Sequence, residues 1–352
     1  MSRRRVLAVR LDSAGDVLLT GPAIRAIATS ARVTVLCGPR GRAAAELLVG
    51  PEEILQFEAC WIDPEPKPLD PGSTMALVET IRSRTFDQAV IFTSFHQSPL
   101  PAALLLRLAG VPVVAAICED YPGSLLDVRH RVDDDLHEVE RALSLAGTLG
   151  YSLPPGDFGQ MRIRPATEDN PIRWSEYVVV HPGASVPARA WAPELHAELV
   201  RKLVREGHNV VVTGGPEESG LTAQVCGAPS EAVVDLGGKL SFARLARVLE
   251  GAGVVVVANT GPAHLAAAVG TPVVSLFAPT VPAARWRPWD VPQVLLGDQQ
   301  IPCAGCRAKR CPYPGHPCLS SVRPDEVVAA VTELLSRNRG PERAGAEAEV
   351  PV

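Results

Sequence analysis

Two carboxylates stand four residues apart in the stretch RLDSAGDVLLTGPAIRAIA (residues 10–28), where an apolar strand gives way to an apolar helix. A carboxylate at such a turn has two uses. It can accept the unpaired N–H groups that open a helix, or it can take the proton of a substrate hydroxyl as a general base. From these residues alone the cap is the better reading of Asp16, with Asp12 as loop structure and Gly15 as the residue that allows a tight turn.

The second half of the chain holds turns suited to an anion. In HPGASVPARAWAPE, Gly183, Ala184 and Ser185 let a ligand approach the backbone, and Ser185 and Arg189 add a hydroxyl and a fixed cation, a set that suits phosphate. A loop with a solvated arginine explains the same residues as well. In NTGPAHLAAAVG, Asn259, Thr260 and Gly261 open a helix with Pro262 at its start. The free N–H groups and the positive end of the helix dipole make an anion site there. His264 lies in the first turn, and the alternative is a capped helix with a satisfied histidine. In TGGPEES, a tight Gly214-Gly215 turn precedes Glu217 and Glu218, carboxylates able to accept ribose hydroxyls or simply exposed at a helix start.

Two further stretches carry chemistry of weaker definition. CAGCRAKRCPYPGHPC places Cys303, Cys306, Cys311 and Cys318 at C-x2-C-x4-C-x6-C spacing around His316, which makes them candidate ligands of a structural zinc; an iron–sulfur cluster and unligated or disulfide-linked thiols are the other readings. Arg307, Lys309 and Arg310 make the same loop basic and a candidate contact for a phosphorylated acceptor. After a first-half strand, SFHQS offers Ser94, His96 and Gln97 as candidate acceptor contacts, with helix capping as the alternative.

The elements that must position these residues are short apolar strands alternating with helical patterns. RVLAVRL, RVTVLCG, QAVIFT and VPVVAAI read as strands, with helices over 17–29, 41–49 and 99–109 between them, and DDDLHEVERALSLAGTLG reads as a helix with acids in its first turn. Strands alternating with helices mean βαβ units and parallel sheet. The four prolines of residues 151–175 mark a linker. The alternation then restarts with YVVVH, a helix over 193–206 closed by Gly207, NVVVTGG, a helix capped by Ser241, and VVVVANTGPAHLAAAVGTPVVSLF. Near-continuous valine runs belong to strands buried on both faces. The reading is α/β: a Rossmann-like domain over 1–155, a linker over 156–175, a second Rossmann-like domain over 176–337 and a disordered tail over 338–352. In such doubly wound sheets, ligands sit beyond the carboxyl ends of the strands, so two domains of this kind are expected to face a common cleft.

The bulk numbers narrow the class. A chain of 352 residues with 46% apolar and 21% charged residues is ordinary globular material for two cores. A net charge of −5 argues against a general nucleic-acid binder. MSRRRVLAVRL is too short in apolar residues for a signal core, and no apolar run approaches the roughly 18 residues of a membrane helix. A cytoplasmic protein is expected, at most brushing the inner face of a membrane through Arg3, Arg4 and Arg5. Eight cysteines in such a compartment argue against a disulfide framework. Without a G-x-G-x-x-G or a G-x-x-x-x-G-K-[ST], dinucleotide and P-loop chemistries lose their usual support.

Taken in order, RLDSAGDVLLTGPAIRAI, TSFHQSPLP, HEVERALSLAGTLG, HPGAS with ARAWAPE, TGGPEE and NTGPAHLAAAVGTPVVSLFAPT resemble glycosyltransferase family 9, the heptosyltransferases. The resemblance implies a GT-B fold, with the N-terminal domain binding the acceptor and the C-terminal domain the nucleotide-sugar, and inverting transfer of a sugar, heptose from ADP-heptose above all, to a glycan or lipid-linked acceptor, with no metal or other cofactor in catalysis. It implies Asp16 as general base, Ser185, Arg189, Asn259, Thr260, Gly261 and His264 at the donor diphosphate and sugar, and Glu217 with Glu218 at the ribose. Two departures stand out: the family often has Asp at the position of Asn259 and Lys at that of Arg189. A sugar-nucleotide epimerase of GT-B fold and a non-catalytic nucleotide-sugar binder are the competing readings.

Overall fold

The computed structural model describes residues 3–338 apart from 64, 95, 96 and 166. The chain divides into two compact units, Met1–Pro165 and Ala166–Val352, each with its own sheet and core. Among the described residues no helix is long and apolar enough to cross a membrane.

The first unit runs β1 (Arg4–Arg10), α1 (Ala14–Ala28), β2 (Ala31–Cys37), α2 (Arg42–Leu47), β3 (Pro51–Gln56), α3 (Pro71–Arg84), β4 (Gln88–Ile91), α4 (Leu100–Leu108), β5 (Val113–Ile117), β6 (Val128–His130) and α5 (Glu138–Gly147). Its six strands are parallel in the order β3-β2-β1-β4-β5-β6. Chain direction therefore reverses its path between β1 and β4, where a doubly wound sheet opens a crevice. β1 is buried along its last five residues because helices cover both faces of the sheet, which also explains its unbroken apolar run.

Helix α1 starts at Ala14, earlier than the expected residue 17. Ser13 is its extended N-cap and Asp16 its third residue, so Gly15 sits inside the first helical turn and does not form a separate tight turn. The helix expected from Asp133 starts five residues later. His137 caps α5 by accepting the Val139 N–H on Nδ1 at 3.2 Å, and its own N–H donates to Glu140 at 3.1 Å, leaving Asp133–Asp135 in the preceding turn.

The second unit runs β7 (Val178–His181), α6 (Pro193–Arg205), β8 (Val210–Val212), α7 (Ser219–Cys226), β9 (Val233–Asp235), α8 (Phe242–Glu250), β10 (Val254–Ala258), α9 (Gly261–Ala268), β11 (Val273–Leu276), α10 (Ala283–Trp286), β12 (Gln293–Leu296), α11 (Pro317–Ser320) and α12 (Pro324–Asn338). Its strands are again parallel, in the order β12-β11-β10-β7-β8-β9, so the reversal falls between β7 and β10. The valines of β7, β8 and β10 are fully buried and meet Leu199, Leu203, Val331 and Leu334 from α6 and α12 in one core. Ser241 caps α8 as expected, accepting the Arg244 N–H at 3.0 Å, and Gly207 follows α6 with φ of 87°.

The proline-bearing stretch between the sheets is tied down at both ends. Arg25 on α1 grips Asp157 through Nε and Nη2 at 2.9 and 3.0 Å and donates to the Gln160 carbonyl at 2.6 Å. Ile163 bridges to Leu48, and the Arg164 N–H reaches the Leu47 carbonyl at 2.7 Å. Beyond it, Asn170 donates to the Tyr177 hydroxyl at 2.8 Å within the second unit. Of the expected tail, 338–352, Asn338 is the last residue of α12, and 339–352 lie outside the described residues.

Gly38 shows how closely the turns at the strand ends are stacked. A Cβ there would lie 2.3 Å from the backbone oxygen of Leu11, at the start of the turn that carries Asp12. Gly147, by contrast, has open space around it and ends a helix. Gly38→Ala should therefore lower stability by about 1–3 kcal/mol, whereas Gly147→Ala should be neutral or slightly stabilising. Thermal unfolding of the two variants checks this; equal melting temperatures would show that the Gly38 turn can move aside.

Candidate functional site

Strand β1 ends in a buried arginine that organises the first unit's turns. Arg10 is 3% exposed. Its Nη2 donates to Asp16 Oδ1 and to Ser94 Oγ, both at 3.0 Å, and lies 3.2 Å from Asp12 Oδ2. Its Nη1 is 3.9 Å from Glu138 in the first turn of α5, whose other oxygen is 3.6 Å from Arg141. Ser94, in the loop after β4, donates in turn to Asp12 at 2.9 Å. The β1–β4 reversal brings these groups together from four segments. Burial opposes the charge on Arg10, but Asp12, Asp16 and Glu138 outweigh it and hold the guanidinium protonated.

The two carboxylates of the opening stretch are treated differently by this arrangement. Asp12 is buried, and burial pushes its carboxyl up to about 6 against the pull of Arg10. Asp16 keeps 18% of its side chain exposed. Its Oδ2 accepts the Ser13 hydroxyl at 2.7 Å and the Ser13 N–H at 3.3 Å, the acidic half of a capping box. Asp16 thus braces the start of α1 without being its N-cap, while Arg10 fixes its other oxygen.

Beside this cluster, Ser94, Gln97, Ser98, Glu119, Asp120 and Arg141 line a polar cavity of about 220 Å³. Ser94 and Gln97 hold each other, the Ser94 N–H donating to Gln97 Oε1 at 3.1 Å and the Gln97 N–H to the Ser94 carbonyl at 2.9 Å. His96, the third residue expected here, lies outside the described residues.

In the second unit the β7–β10 reversal assembles a larger cavity, about 610 Å³, from His181, Gly183 and Ser185 after β7, Gly214 to Glu218 after β8, and Thr260 and Gly261 at the start of α9. Thr260 is the extended N-cap of α9, but its hydroxyl caps no helix N–H and reaches only the Ala258 carbonyl at 3.5 Å. The helix N-terminus therefore opens on the cavity, where its dipole favours an anion. Arg189, on the 3-10 turn Pro187–Arg189, donates from Nε to Thr280 Oγ1 at 3.2 Å and from Nη1 to the Asn259 carbonyl at 3.4 Å. Asn259 and His264 are buried, at 3% and 4% exposure, and the Asn259 amide nitrogen has no hydrogen-bond partner among the described residues.

The two glutamates after the Gly-Gly turn differ. Glu217 is exposed on the cavity rim. Glu218 folds back, accepting the Gly215 N–H at 2.7 Å and lying 3.8 Å from His181 Nε2. Its carboxylate occupies the space beside Gly183, 2.0 Å from where a Cβ would stand, so a larger residue at 183 would displace it. Burial lowers the affinity of the His181 imidazole for a proton, although Glu218 pulls the other way; His181 also pairs with Thr213 at 3.0 Å.

The four cysteines expected as zinc ligands lie near enough to one another for Cys303, Cys306 and Cys311 to act electrostatically on Cys318. Cys303, Cys306, Cys311 and Cys318 are free thiols, and no three His, Cys, Asp or Glu among the described residues are placed to hold a metal. Cys318 is buried, and burial together with the neighbouring Cys311, Cys303 and Cys306 pushes its thiol up to about 11. Residues that the sequence did not single out prove central: Arg10, Glu138, Arg141, His181 and Thr280. Arg10 and His181 share one signal, a basic or titratable residue closing a buried apolar strand.

Two doubly wound parallel sheets, each with polar turns at its strand reversal, are the architecture of a GT-B glycosyltransferase, and comparison with known proteins agrees. The sequence pattern of glycosyltransferase family 9 (heptosyltransferase) matches residues 74–316. Lipopolysaccharide heptosyltransferase 3 of Escherichia coli is 32% identical over 282 residues, covering 74% of this chain and 78% of its own. In structure, the chain is similar to a family 9 glycosyltransferase from Veillonella parvula (TM-score 0.74, 17% identity, 95% of this chain and 97% of that one). It is also similar to the E. coli ADP-heptose lps heptosyltransferase II (TM-score 0.73, 18% identity, 95% and 99%). The chain belongs to glycosyltransferase family 9, and it is a glycosyltransferase. The matched span includes Ser185, Arg189, Glu217, Glu218, Asn259, Thr260, Gly261 and His264, and begins after Asp12 and Asp16.

The raised Asp12 carboxyl has a measurable sign. The folded protein binds this proton more tightly than the unfolded chain, so the associated stability is complete below about pH 4 and is lost as pH rises to about 6. Asp12→Asn removes that dependence. Relative to the wild type, the variant should gain about 2 kcal/mol between pH 4.5 and pH 7.5, read from denaturant unfolding at both pH values. A relative loss over the same interval would mean that Arg10 holds Asp12 as a carboxylate throughout.

Proposed function

We propose that the protein transfers a heptosyl group from ADP-heptose to a hydroxyl of a glycan or lipid-linked acceptor, with inversion and without a metal. The observation that carries this reading is the α9 N-terminus, where the Thr260 hydroxyl caps no helix N–H, the Ala263 N–H turns back to the Thr260 carbonyl at 3.0 Å, and the cation Arg189 is held alongside. That arrangement suits a leaving diphosphate. As the bond to the anomeric carbon breaks, negative charge grows on the departing phosphate, and helix N–H groups, Thr260, Gly261, Ser185 and Arg189 meet it without reorganising. His264 and Asn259 stand beside them for the sugar. Glu217 and Glu218 are placed for the ribose hydroxyls.

Asp16 takes the acceptor proton as its oxygen attacks the anomeric carbon from the face opposite the leaving group. A weak base suffices, because bond breaking runs ahead and leaves an oxocarbenium-like sugar. Arg10 orients the carboxylate, and Ser94 and Gln97, on the cavity beside it, contact the acceptor. The likeness to the E. coli lipopolysaccharide heptosyltransferase points to a lipopolysaccharide core sugar as acceptor. With a nucleotide-sugar donor and a lipid-linked acceptor, the reaction belongs in the cytoplasm at the inner face of the membrane.

Asp16→Asn keeps the shape of the side chain and removes the base. It should lower turnover by about 10²–10⁴-fold while ADP affinity and melting temperature stay near the wild-type values. The assay follows ADP release from ADP-heptose with core-sugar acceptors, and the calorimetric control follows ADP binding. A fall in ADP affinity or melting temperature equal to the fall in turnover would make Asp16 structural. Alteration of the heptose with no acceptor present would show an epimerase.

A further inference from the structure

We infer that His316 is a positioning residue for Arg189, and that the cysteine-bearing loop 303–318 is the clasp that seats this arginine for the donor diphosphate. The inference rests on the donor reading above. Ala188, the residue before Arg189, is 2% exposed, and the clasp takes both of its backbone hydrogen-bonding groups. Its N–H donates to the Lys309 carbonyl at 3.0 Å, and its carbonyl oxygen lies 3.0 Å from His316 Nε2. A carbonyl can only accept, so the ring carries its proton on Nε2.

The same loop holds the other side of the arginine's seat. The Gly305 N–H donates to the Pro279 carbonyl at 2.7 Å and the Arg307 N–H to the Thr280 carbonyl at 2.9 Å. Thr280 is the residue whose hydroxyl accepts from Arg189 Nε. Two segments far apart in sequence, 187–189 and 279–280, are thus pinned to one loop, with the guanidinium bonded to one of them and carried by the other. The backbone is strained where it does this: Arg307 and His316 have φ of 53° and 50°, two of the four described non-glycine residues in the left-handed region. Such conformations persist only where the surroundings over-determine them.

His316 reaches a main-chain oxygen, so its effect on a ligand passes through the placement of the neighbouring guanidinium. Losing the imidazole leaves the buried Ala188 carbonyl without this donor and loosens the turn that carries Arg189. Diphosphate affinity then falls, while the chemistry at the sugar, which depends on other groups, is unchanged once donor saturates. The spacing of the four cysteines belongs to the loop that delivers His316.

The test titrates the full chain with ADP by calorimetry and follows steady-state kinetics with ADP-heptose. His316→Ala should weaken ADP binding about tenfold and raise the donor KM similarly, with kcat at saturating donor near the wild-type value. His316→Gln, whose amide can donate to the same carbonyl, should stay within about threefold of wild type. In an Arg189→Ala background, His316→Ala should add less than about a twofold loss. His316→Leu serves in its place if the alanine variant does not fold. Undiminished ADP binding in His316→Ala, a full-sized effect in the Arg189→Ala background, or failure of glutamine to rescue would overturn the inference. Wild-type protein that does not bind ADP would overturn the donor reading itself, and an Arg189→Ala variant of unchanged affinity would remove the role that His316 is inferred to support.

Discussion

Pairing of β7 with β10, and of β1 with β4, is the constraint on which the rest of the molecule depends. In a right-handed parallel sheet, helices that follow strands on one side of the reversal lie on one face, and those that follow strands on the other side lie on the opposite face. At the reversal itself no crossover helix covers the carboxyl ends of the strands. The turns after the two adjoining strands therefore converge on a shared crevice. In the first unit these are the turns that carry Asp12 and Asp16 after β1 and Ser94 after β4. In the second they carry His181 and Ser185 after β7 and Asn259 to Gly261 after β10.

The two crevices are built with opposite electrostatic intent. Around Arg10 the protein concentrates carboxylates, three of them within 4 Å of one buried guanidinium. That charge is costly to bury unless every partner is placed well, and the partners come from four separate segments, so the arginine acts as the organiser of the turns as well as their counter-ion. Around α9 the protein instead gathers N–H donors, hydroxyls and a cation, with Glu217 on the rim and Glu218 folded back towards Gly183 and His181.

The central strands were legible because burial on both faces writes itself into composition. β1, β2, β4, β5, β7, β8, β10 and β11 all stand where apolar, largely β-branched runs predict them. The strands absent from that pattern, β3, β6, β9 and β12, are the four sheet edges. Each is short or half-buried: β6, β9 and β12 have no fully buried residue, and β3 carries Pro51, Glu52 and Glu53. Edge strands tolerate charge and proline because one side of their ladder needs no partner, and that tolerance removes the signal. Helix α3 is different, since Asp70 before Pro71 and burial at Thr74, Leu77, Val78 and Ile81 follow ordinary helical rules.

What the sequence by itself determined is the list of turns and the kind of chemistry each could hold: a carboxylate at the first helix, small residues with a hydroxyl and an arginine after β7, a glycine-opened helix after β10. Those are local properties of residue type and spacing. What only the tertiary structure decided is the work assigned within each turn. Asp12 and Asp16 look equivalent in the sequence, yet one is buried against Ser94 and Arg10 and the other braces a helix start with part of its surface in solvent. Glu217 and Glu218 divide in the same way, because only one can fold into the space left by Gly183. The cysteine run reads as a metal site by spacing, and only the folded chain shows that the same loop brings His316 to the carbonyl of Ala188, beside Arg189. These outcomes depend on distances between segments tens to hundreds of residues apart, set by the strand order, and no local pattern encodes them.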